Sequence, residues 1–156
     1  MPRPLRPQVP GGFYHVVARG VAGAPIVMDD GDRAGFLWLL HRVEDRRQWR
    51  LHAYCLMTTH VHFVVETPLP NVSRGLHWLF GVYAQRFNRR WGRFGHLFAD
   101  RFWSRLIEDD EYYEEVCRYV FENPVKAGLC EAAADWRWSG GLLHAALVTT
   151  PAGSDP

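Results

Sequence analysis

Residues 51–66, LHAYCLMTTHVHFVVE, decide the fold because they contain two strand-like runs with almost nothing between them. Leu51–Met57 and His60–Glu66 are rich in β-branched, aromatic and aliphatic residues, which favour strands. Only Thr58 and Thr59 separate them, and this spacing predicts a tight hairpin, although glycine or asparagine is more usual in such turns. We therefore expect an antiparallel sheet built on this hairpin.

The segments on either side of the hairpin each supply one further strand and one helix. Before it, Phe13–Arg19 (FYHVVAR) predicts a strand, and residues 32–48 carry apolar side chains at helical spacing. After it, an apolar stripe predicts a helix over about 71–90, and residues 98–108 contain a fourth strand. The order βαββαβ predicts an α+β, ferredoxin-like sandwich: a four-stranded antiparallel sheet with both helices on one face.

A third helix, which carries tyrosines, is predicted to follow the fourth strand. Pro124 is expected to end it, because the residue before a proline is pushed away from helical angles. The expected N-terminal caps are Asp32 for the first helix, Asn71 or Ser73 for the second, and Asp109 or Asp110 for the third.

The length of 156 residues suits one domain with one core. We assign this domain to residues 11–141, after a flexible Pro-rich arm at 1–10 and before a C-terminal segment at 142–156 that should be mobile from 149. Hydrophobic residues make up 47% and charged residues 22%, a globular composition that excludes disordered, collagen-like and coiled-coil chains.

Neither a membrane helix nor a disulfide framework is expected. No apolar run approaches the roughly 20 residues that span a bilayer, and the N-terminal residues lack the hydrophobic segment of a signal peptide. Cys55, Cys117 and Cys130 form no C-x-x-C pair, so they are expected to be reduced thiols. These features predict a cytoplasmic protein.

Positive charge is concentrated in one block of the chain. Between residues 74 and 105 there are seven arginines and one acid, Asp100, whereas the net charge of the whole chain is only +1. Such a block is typical of a polyanion-binding surface, but it is also compatible with a solvated helix face. The candidate DNA-binding residues are Arg74, Arg86, Arg89, Arg90, Arg93, Arg101 and Arg105.

His60 and His62 lie two residues apart in a predicted strand, so their side chains should point to the same face. Both imidazoles could then bind one metal ion. The pattern is also compatible with two polar side chains on the solvent face of an antiparallel sheet.

Tyr119 and Asn123 lie four residues apart in the third predicted helix, hence on one helical face. Two imidazoles and an amide oxygen would leave a bound cation open positions for phosphate oxygens, with a tyrosine hydroxyl beside the phosphorus. Equally, Tyr119 follows the helical spacing of Tyr112 and Val116 and could pack in the core, with Asn123 near the helix end.

The chain resembles the single-tyrosine HUH transposases, where HUH denotes His, hydrophobe, His, and among them the REP-associated tyrosine transposases. Two motifs carry the resemblance, LM-x-x-HVH and RY-x-x-x-NPV-x-AGL. The matching stretches are YHVVARG (14–20), AYCLMTTHVHFVVETP (53–68), GHLFADRFWSRLIEDDEYYEEVCRYVFENPVKAGL (95–129) and WRWSGG near Trp136.

The resemblance implies a role for four residues. His60 and His62 match the family's metal-binding pair, Asn123 matches the polar residue that completes the metal site, and Tyr119 matches the catalytic tyrosine. His15 and Arg19 match positions in the family's first strand, to which we assign no role. The chain departs from the family at Thr58-Thr59, where proline and asparagine are usual, and in VAGAP after Gly20.

The implied activity is a transesterification on hairpin-forming, palindromic single-stranded DNA. The Tyr119 oxygen attacks a phosphodiester, which leaves a 5′-phosphotyrosine and a free 3′-OH that can later rejoin strands. The resemblance implies Mg²⁺ or Mn²⁺ and no nucleotide cofactor, and it is compatible with a dimer or a monomer. A basic surface would place the protein at the nucleoid.

Two other functions are compatible with the same residues. One is a catalytically silent DNA-binding protein of the same fold that acts on genomic palindromic repeats. The other is a metal-dependent hydrolase that uses His60 and His62 with water as the attacking group.

Overall fold

A computed structural model describes residues 8–99 and 102–148 of the chain. The helices and strands, in chain order, are β1 (Gly12–Arg19), α1 (Asp30–Arg47), β2 (Arg50–Leu56), β3 (His60–Thr67), α2 (Val72–Trp91), β4 (Trp103–Ile107), α3 (Asp110–Lys126), β5 (Ser139–Gly140) and α4 (His144–Val148). Within these residues no helix is long and apolar enough to cross a membrane.

The sheet is antiparallel, with the strand order β4-β1-β3-β2-β5. The α+β class is confirmed, and the first four strands have the arrangement of two interlocked strand-helix-strand units. The predicted number of strands was wrong, because a fifth strand pairs with the outer edge of β2 through Tyr54–Gly140 and Cys55–Ser139. A two-residue strand is too short to give a sequence pattern, which explains why it was missed.

Each face of the sheet buries its own set of side chains because successive residues of a strand point to opposite faces. On β1, Tyr14, Val16 and Ala18 point into the larger core, which α1 and α2 cover. The opposite face, which carries the odd-numbered side chains of β1, packs against α3 and the C-terminal segment. We call this second face the α3 face.

The predicted hairpin is confirmed, and the loop after β1 holds its turn in place. The Met57 amide donates to the carbonyl of His60 (2.9 Å) and so closes the turn. The carbonyls of Thr58 and Thr59 accept hydrogen bonds from the amides of Ile26 and Gly20, each 2.8 Å long. These backbone contacts fix the chain directly before His60.

The cap of the first helix differs from the prediction. Asp29, not Asp32, caps α1, and its carboxylate accepts a hydrogen bond from the Asp32 amide (2.9 Å). The buried carboxylate of Asp32 accepts instead from the Met28 amide (2.8 Å) and from Trp91 Nε1 (2.9 Å). Asp32 therefore ties the start of α1 to the end of α2.

Asn71, one of the two residues predicted to cap α2, occupies the N-cap position. Its side chain, however, makes no capping hydrogen bond. Its side-chain Oδ1 accepts a hydrogen bond from Trp49 Nε1 (2.7 Å), and its Nδ2 donates one to the Arg47 carbonyl (3.1 Å). Asn71 therefore joins the start of α2 to the turn between α1 and β2.

Asp109 caps α3 as predicted, with its carboxylate 2.6 Å from the Tyr112 amide. The predicted end at Pro124 was wrong, since the helix runs through the buried Pro124 to Lys126. The Ala127 amide donates to the Asn123 carbonyl (3.0 Å), so the backbone stays hydrogen-bonded past the proline. Tyr119 and Asn123 consequently sit in regular helix, one turn apart.

Candidate active site

His60 and His62 point to the α3 face of the sheet, as their spacing predicted. Their ring centroids are 4.9 Å apart and the rings are nearly perpendicular. Thr59 Oγ1 lies 3.0 Å from His60 Nδ1, which fixes one edge of that imidazole. The pair is therefore set by the strand and by the turn that precedes it.

A third imidazole, that of His15 on β1, completes a cluster. Antiparallel pairing places Val17 opposite His62 and Arg19 opposite His60, so the odd-numbered side chains of β1 lie beside the two histidines. His15 Nε2 lies 3.4 Å from His62 Nδ1, and the rings are stacked with centroids 5.7 Å apart. Both imidazoles are buried.

Tyr119 reaches this cluster from α3. Its ring centroid lies 5.7 Å from that of His62 and 6.2 Å from that of His15, with both pairs edge to face. The side chain is 41% exposed, so the phenol is not part of the core, unlike its neighbours Val116 and Val120, which are buried beneath the helix. Lys126 Nζ lies 5.2 Å from the Tyr119 ring centroid.

Asn123 lies beside Tyr119 and His60. Its amide nitrogen donates to the Tyr119 carbonyl (3.2 Å), and its side chain counteracts the lowering of the His60 pKa. The four residues predicted as catalytic or metal-binding are thus brought together within one chain.

The three imidazoles favour their neutral form. Burial, with the Arg105 charge, lowers the pKa of His15 to about 4. Burial, with the neighbouring histidines and Arg19, lowers the pKa of His62 to about 3. Burial and Arg19 also lower the pKa of His60, against the opposing effect of the Asn123 side chain. Neutral imidazole is the form that coordinates metals and accepts protons.

The donor set fits a divalent cation. His62 Nε2 is buried and has no hydrogen-bond partner among the described residues, an arrangement that costs free energy unless a ligand is bound there. Residues 8–99 and 102–148 contain no group of three or more histidine, cysteine or acidic side chains that could hold an ion. The third ligand that the family resemblance implies is the Asn123 amide oxygen. Two nitrogens and one oxygen suit Mn²⁺ and related ions.

The predicted arginine block is divided between the two faces of the sheet. Arg74, Arg86, Arg89 and Arg90 belong to α2, which covers the face opposite the histidines. Arg90 is paired with Asp29 and Asp32 at 2.7 Å each, so its guanidinium is a poor candidate for binding phosphate.

The remaining arginines of the block have different surroundings. Arg93 follows α2 and lies over the Phe87 ring, 5.6 Å from its centroid, so it too belongs to the face opposite the histidines. Arg105, on β4, lies on the α3 face over the Tyr112 ring. Arg101 falls outside the described residues.

Sequence reasoning left two residues of the site, His15 and Arg19, without a role, and both face the cluster. The Trp103 ring also lies there, 5.1 Å from that of His15. The alternation of His15, Val17 and Arg19 in FYHVVAR shows that they share a face, but only the pairing of β1 with β3 and β4 identifies which face.

Residues 8–123 match the family model described as "Transposase IS200 like". A Haemophilus influenzae protein described as a REP-associated tyrosine transposase is 28% identical over 98 residues, which is 56% of this chain and 56% of that protein. The REP-associated tyrosine transposase of Escherichia coli K12 is 24% identical over 98 residues, 63% of this chain and 58% of that protein. The matched region thus spans little more than half the length of these relatives.

Two solved structures have a similar fold. A REP-associated tyrosine transposase bound to a REP hairpin superimposes with a TM-score of 0.72 at 19% identity, over 89% of this chain and 82% of that one. A protein of Deinococcus radiodurans R1 described as a transposase gives a TM-score of 0.52 at 17% identity, over 79% of this chain and 95% of that one.

Proposed function

Because the chain belongs to the family of IS200-like transposases, we propose that it cleaves and rejoins single-stranded DNA with Tyr119 as the nucleophile. The observation that carries this proposal is the position of the Tyr119 phenol beside His62 and His15, half exposed and on the same helical face as Asn123. A phosphodiester could reach the phenol from solvent while its oxygens face the imidazole cluster.

His60, His62 and Asn123 would hold the metal. When bound, a divalent cation would neutralise the phosphate oxygens and stabilise the charge that develops at phosphorus. The unpartnered Nε2 of His62 and the neutral state of both imidazoles support this assignment. Mg²⁺ and Mn²⁺ are the ions that we propose.

The strand exchange would conserve the number of ester bonds. The Tyr119 oxygen forms a bond to phosphorus as the bond from phosphorus to the 3′ oxygen breaks, and the protein keeps the 5′ end. The phenol loses its proton and the leaving 3′ oxygen takes one up. The reverse attack by a 3′-OH rejoins the strands, so no nucleotide cofactor is needed.

Two exposed arginines flank the cluster and would hold the DNA backbone. Arg19 lies on β1 opposite His60, and Arg105 lies on β4 opposite His15. A guanidinium can form two parallel hydrogen bonds to a phosphate. We assign the two residues to the phosphates on either side of the scissile bond.

The substrate that we propose is a DNA hairpin with a single-stranded extension, formed by a palindromic chromosomal repeat. The support is the structural relative, which is described as bound to a REP hairpin. All the proposed catalytic residues come from one chain, which favours a site that is assembled in cis. A monomer would then suffice for cleavage.

The test is to incubate the protein with Mn²⁺ and a palindromic hairpin carrying a single-stranded extension, and to look for covalent protein–DNA adduct on a denaturing gel. Wild type should form adduct, Tyr119→Phe should form none, and Tyr113→Phe, a matched change six residues earlier on α3, should retain it.

Other outcomes identify the alternative functions. DNA binding without adduct in wild type indicates a silent DNA-binding protein. Cleavage without adduct that survives Tyr119→Phe indicates a hydrolase. Either outcome overturns the nucleophile assignment.

A further inference from the structure

A row of arginine and tryptophan side chains runs along the seam between α1 and α2. We call it the seam strip, and its members are Trp38, Arg42 and Arg46 of α1 with Trp78 and Arg86 of α2. The two helices cover the larger core, on the face of the sheet opposite α3. The seam strip is therefore separate from the candidate active site.

Contacts across the seam hold these side chains in one row. The Trp38 ring lies 5.6 Å from Arg42 Cζ of its own helix and 5.6 Å from Arg86 Cζ of α2, each measured to the ring centroid. Arg46 Cζ lies 5.8 Å from the ring centroid of Trp78 on α2. The three members on α1 recur every four positions, which keeps them on one side of that helix. Both helices therefore fix the row.

The three guanidinium groups of the seam strip are available to an anion. All three arginines are exposed, and none is paired with a carboxylate in the part of the chain that the structure describes. Asp45 is exposed beside Arg46 but likewise forms no ion pair there, so three positive charges face this one acid. An arginine that already rests on an indole loses less conformational freedom when it binds a phosphate.

The rings of the seam strip are occupied by arginines. Unpaired bases bind proteins by stacking on free aromatic faces. The Trp38 side chain is 55% exposed, but two arginines lie over its ring, and a third lies over the ring of Trp78. The strip consequently offers phosphate contacts in preference to stacking, which suits the backbone of a duplex, whose bases are already stacked on one another.

The length of the row also fits a duplex backbone. From Trp38 to Arg46 the chain advances eight residues, which is about 12 Å along a helix. One strand of a DNA duplex rises about 3.4 Å per phosphate, so the row runs beside about three or four phosphates. Each of the three arginines can then contact a phosphate of its own.

We propose that the seam strip binds double-stranded DNA through the phosphates of one backbone, without reading base sequence. This inference goes beyond the proposed function, which uses a single strand at Tyr119, and rests on it only in the choice of DNA as the nucleic acid. Because the strip and Tyr119 lie on opposite faces of the sheet, a duplex bound at the strip leaves the phenol open to the strand that is cleaved.

The test neutralises the strip with the double variant Arg42→Gln/Arg46→Gln and uses Arg50→Gln/Arg137→Gln as the matched control. All four arginines are exposed, but Arg50 begins β2 and Arg137 precedes β5, outside the seam. Glutamine and arginine have similar helix propensities, so α1 should stay folded. Fluorescence anisotropy, without metal and at several salt concentrations, measures binding of two short blunt duplexes of unrelated sequence.

For both duplexes, the strip variant should reduce the slope of log binding constant against log salt by about 2, because two phosphate contacts are lost. The control variant should keep the wild-type slope. A third variant, Trp38→Leu, removes the indole but no charge. It should keep the slope and bind about 2- to 10-fold more weakly, since Arg42 and Arg86 are no longer held in place.

Three results would overturn the inference: no duplex binding by wild type, an unchanged slope in the strip variant, or an equal change in the control. A slope that falls for only one of the duplexes would also contradict it, because backbone contacts carry no sequence information. The strip variant should still form as much Tyr119 adduct as wild type at saturating hairpin DNA, and a lower yield would contradict a separate site. Absence of adduct in wild type would overturn the proposed function and leave the duplex result standing.

Discussion

His15 Nε2 lies 3.4 Å from His62 Nδ1, and the two rings are inclined by only 21°. A neutral imidazole carries one N–H, so the pair shares a hydrogen bond when one ring donates and the other accepts. If His62 donates from Nδ1, its unpartnered Nε2 carries a free lone pair. If His62 is a metal ligand as proposed, His15 would be its positioning residue, because a partner of this kind fixes the tautomer and orientation of the ligating ring.

The first prediction concerns this pair. His15→Phe should keep the ring that packs on Trp103 but lose the bond to His62, and Mn²⁺ affinity should fall by about 10- to 100-fold. Isothermal titration calorimetry measures the affinity, and circular dichroism checks the fold. His52→Phe is the control, since His52 also meets α3 from the same sheet face, through Tyr113, but lies outside the cluster. Equal affinity in wild type and His15→Phe would refute the positioning role.

The second prediction concerns stability against pH in the metal-free protein. His15 and His62 have folded-state pKa values of about 4 and about 3, below the ordinary 6.5, so the unfolded chain takes up protons before the folded one does. Stability should be fully present above about pH 6.5 and should fall towards pH 4, by on the order of 1–2 kcal/mol for each histidine at pH 5.

Urea denaturation at several pH values measures this dependence. Other groups titrate in the same range, so His15→Phe combined with His62→Gln is the comparison. The double variant should lose less stability than wild type between pH 7 and pH 5. Equal losses of stability between pH 7 and pH 5 in the two proteins would show that the fold does not hold the imidazoles neutral.

The third prediction separates structural from DNA-binding arginines. Arg90→Gln removes the partner of Asp29 and of the buried Asp32, so it should lower the free energy of unfolding. Arg89→Gln, its exposed neighbour, should leave stability unchanged and reduce the slope of log binding constant against log salt by about 1. Chemical denaturation measures the free energy of unfolding, and fluorescence anisotropy at several salt concentrations measures the slope. If Arg90→Gln instead reduced the salt slope and left stability unchanged, Arg90 would belong to the proposed DNA-binding surface.

The fourth prediction tests the packing of α2 on the rest of the fold. A Cβ atom at Gly75 would lie 2.1 Å from Cζ2 of the buried Trp49 side chain, so Gly75→Ala must displace the indole. We expect a loss of about 1–3 kcal/mol in the free energy of unfolding. Gly81→Ala, six residues later on the open side of the same helix, should be neutral or stabilising. Thermal denaturation of the two variants gives the comparison, and an equally stable Gly75→Ala would contradict the close approach.

The sequence is sufficient to predict features that depend on local spacing. Strand periodicity places His60 and His62 on one face, and helical periodicity places Tyr119 beside Asn123, as the structure shows. The contact between His15 and His62 joins residues 47 positions apart and depends on the pairing of β1 with β3, which no local pattern contains.

The role of each residue in the arginine block likewise depends on contacts that no local pattern contains. Its charge is visible in the sequence, but which face each arginine occupies follows from the packing of α2 on the larger core. Arg90 illustrates the consequence, because its carboxylate partners lie about 60 residues earlier in the chain. Charge density alone could not separate a structural ion pair from a DNA contact.

The central claim, that Tyr119 is the residue joined to DNA, can be tested directly by mapping the adduct. Cleavage after Arg118 and Lys126 by trypsin releases residues 119–126, YVFENPVK, which contain a single tyrosine, while Tyr112 and Tyr113 fall in the peptide before it. After reaction with Mn²⁺ and a hairpin carrying a single-stranded extension, followed by nuclease and trypsin digestion, mass spectrometry should find a nucleotide joined through its 5′-phosphate to this peptide. A nucleotide on the preceding peptide, or linked through its 3′ end, would contradict the account.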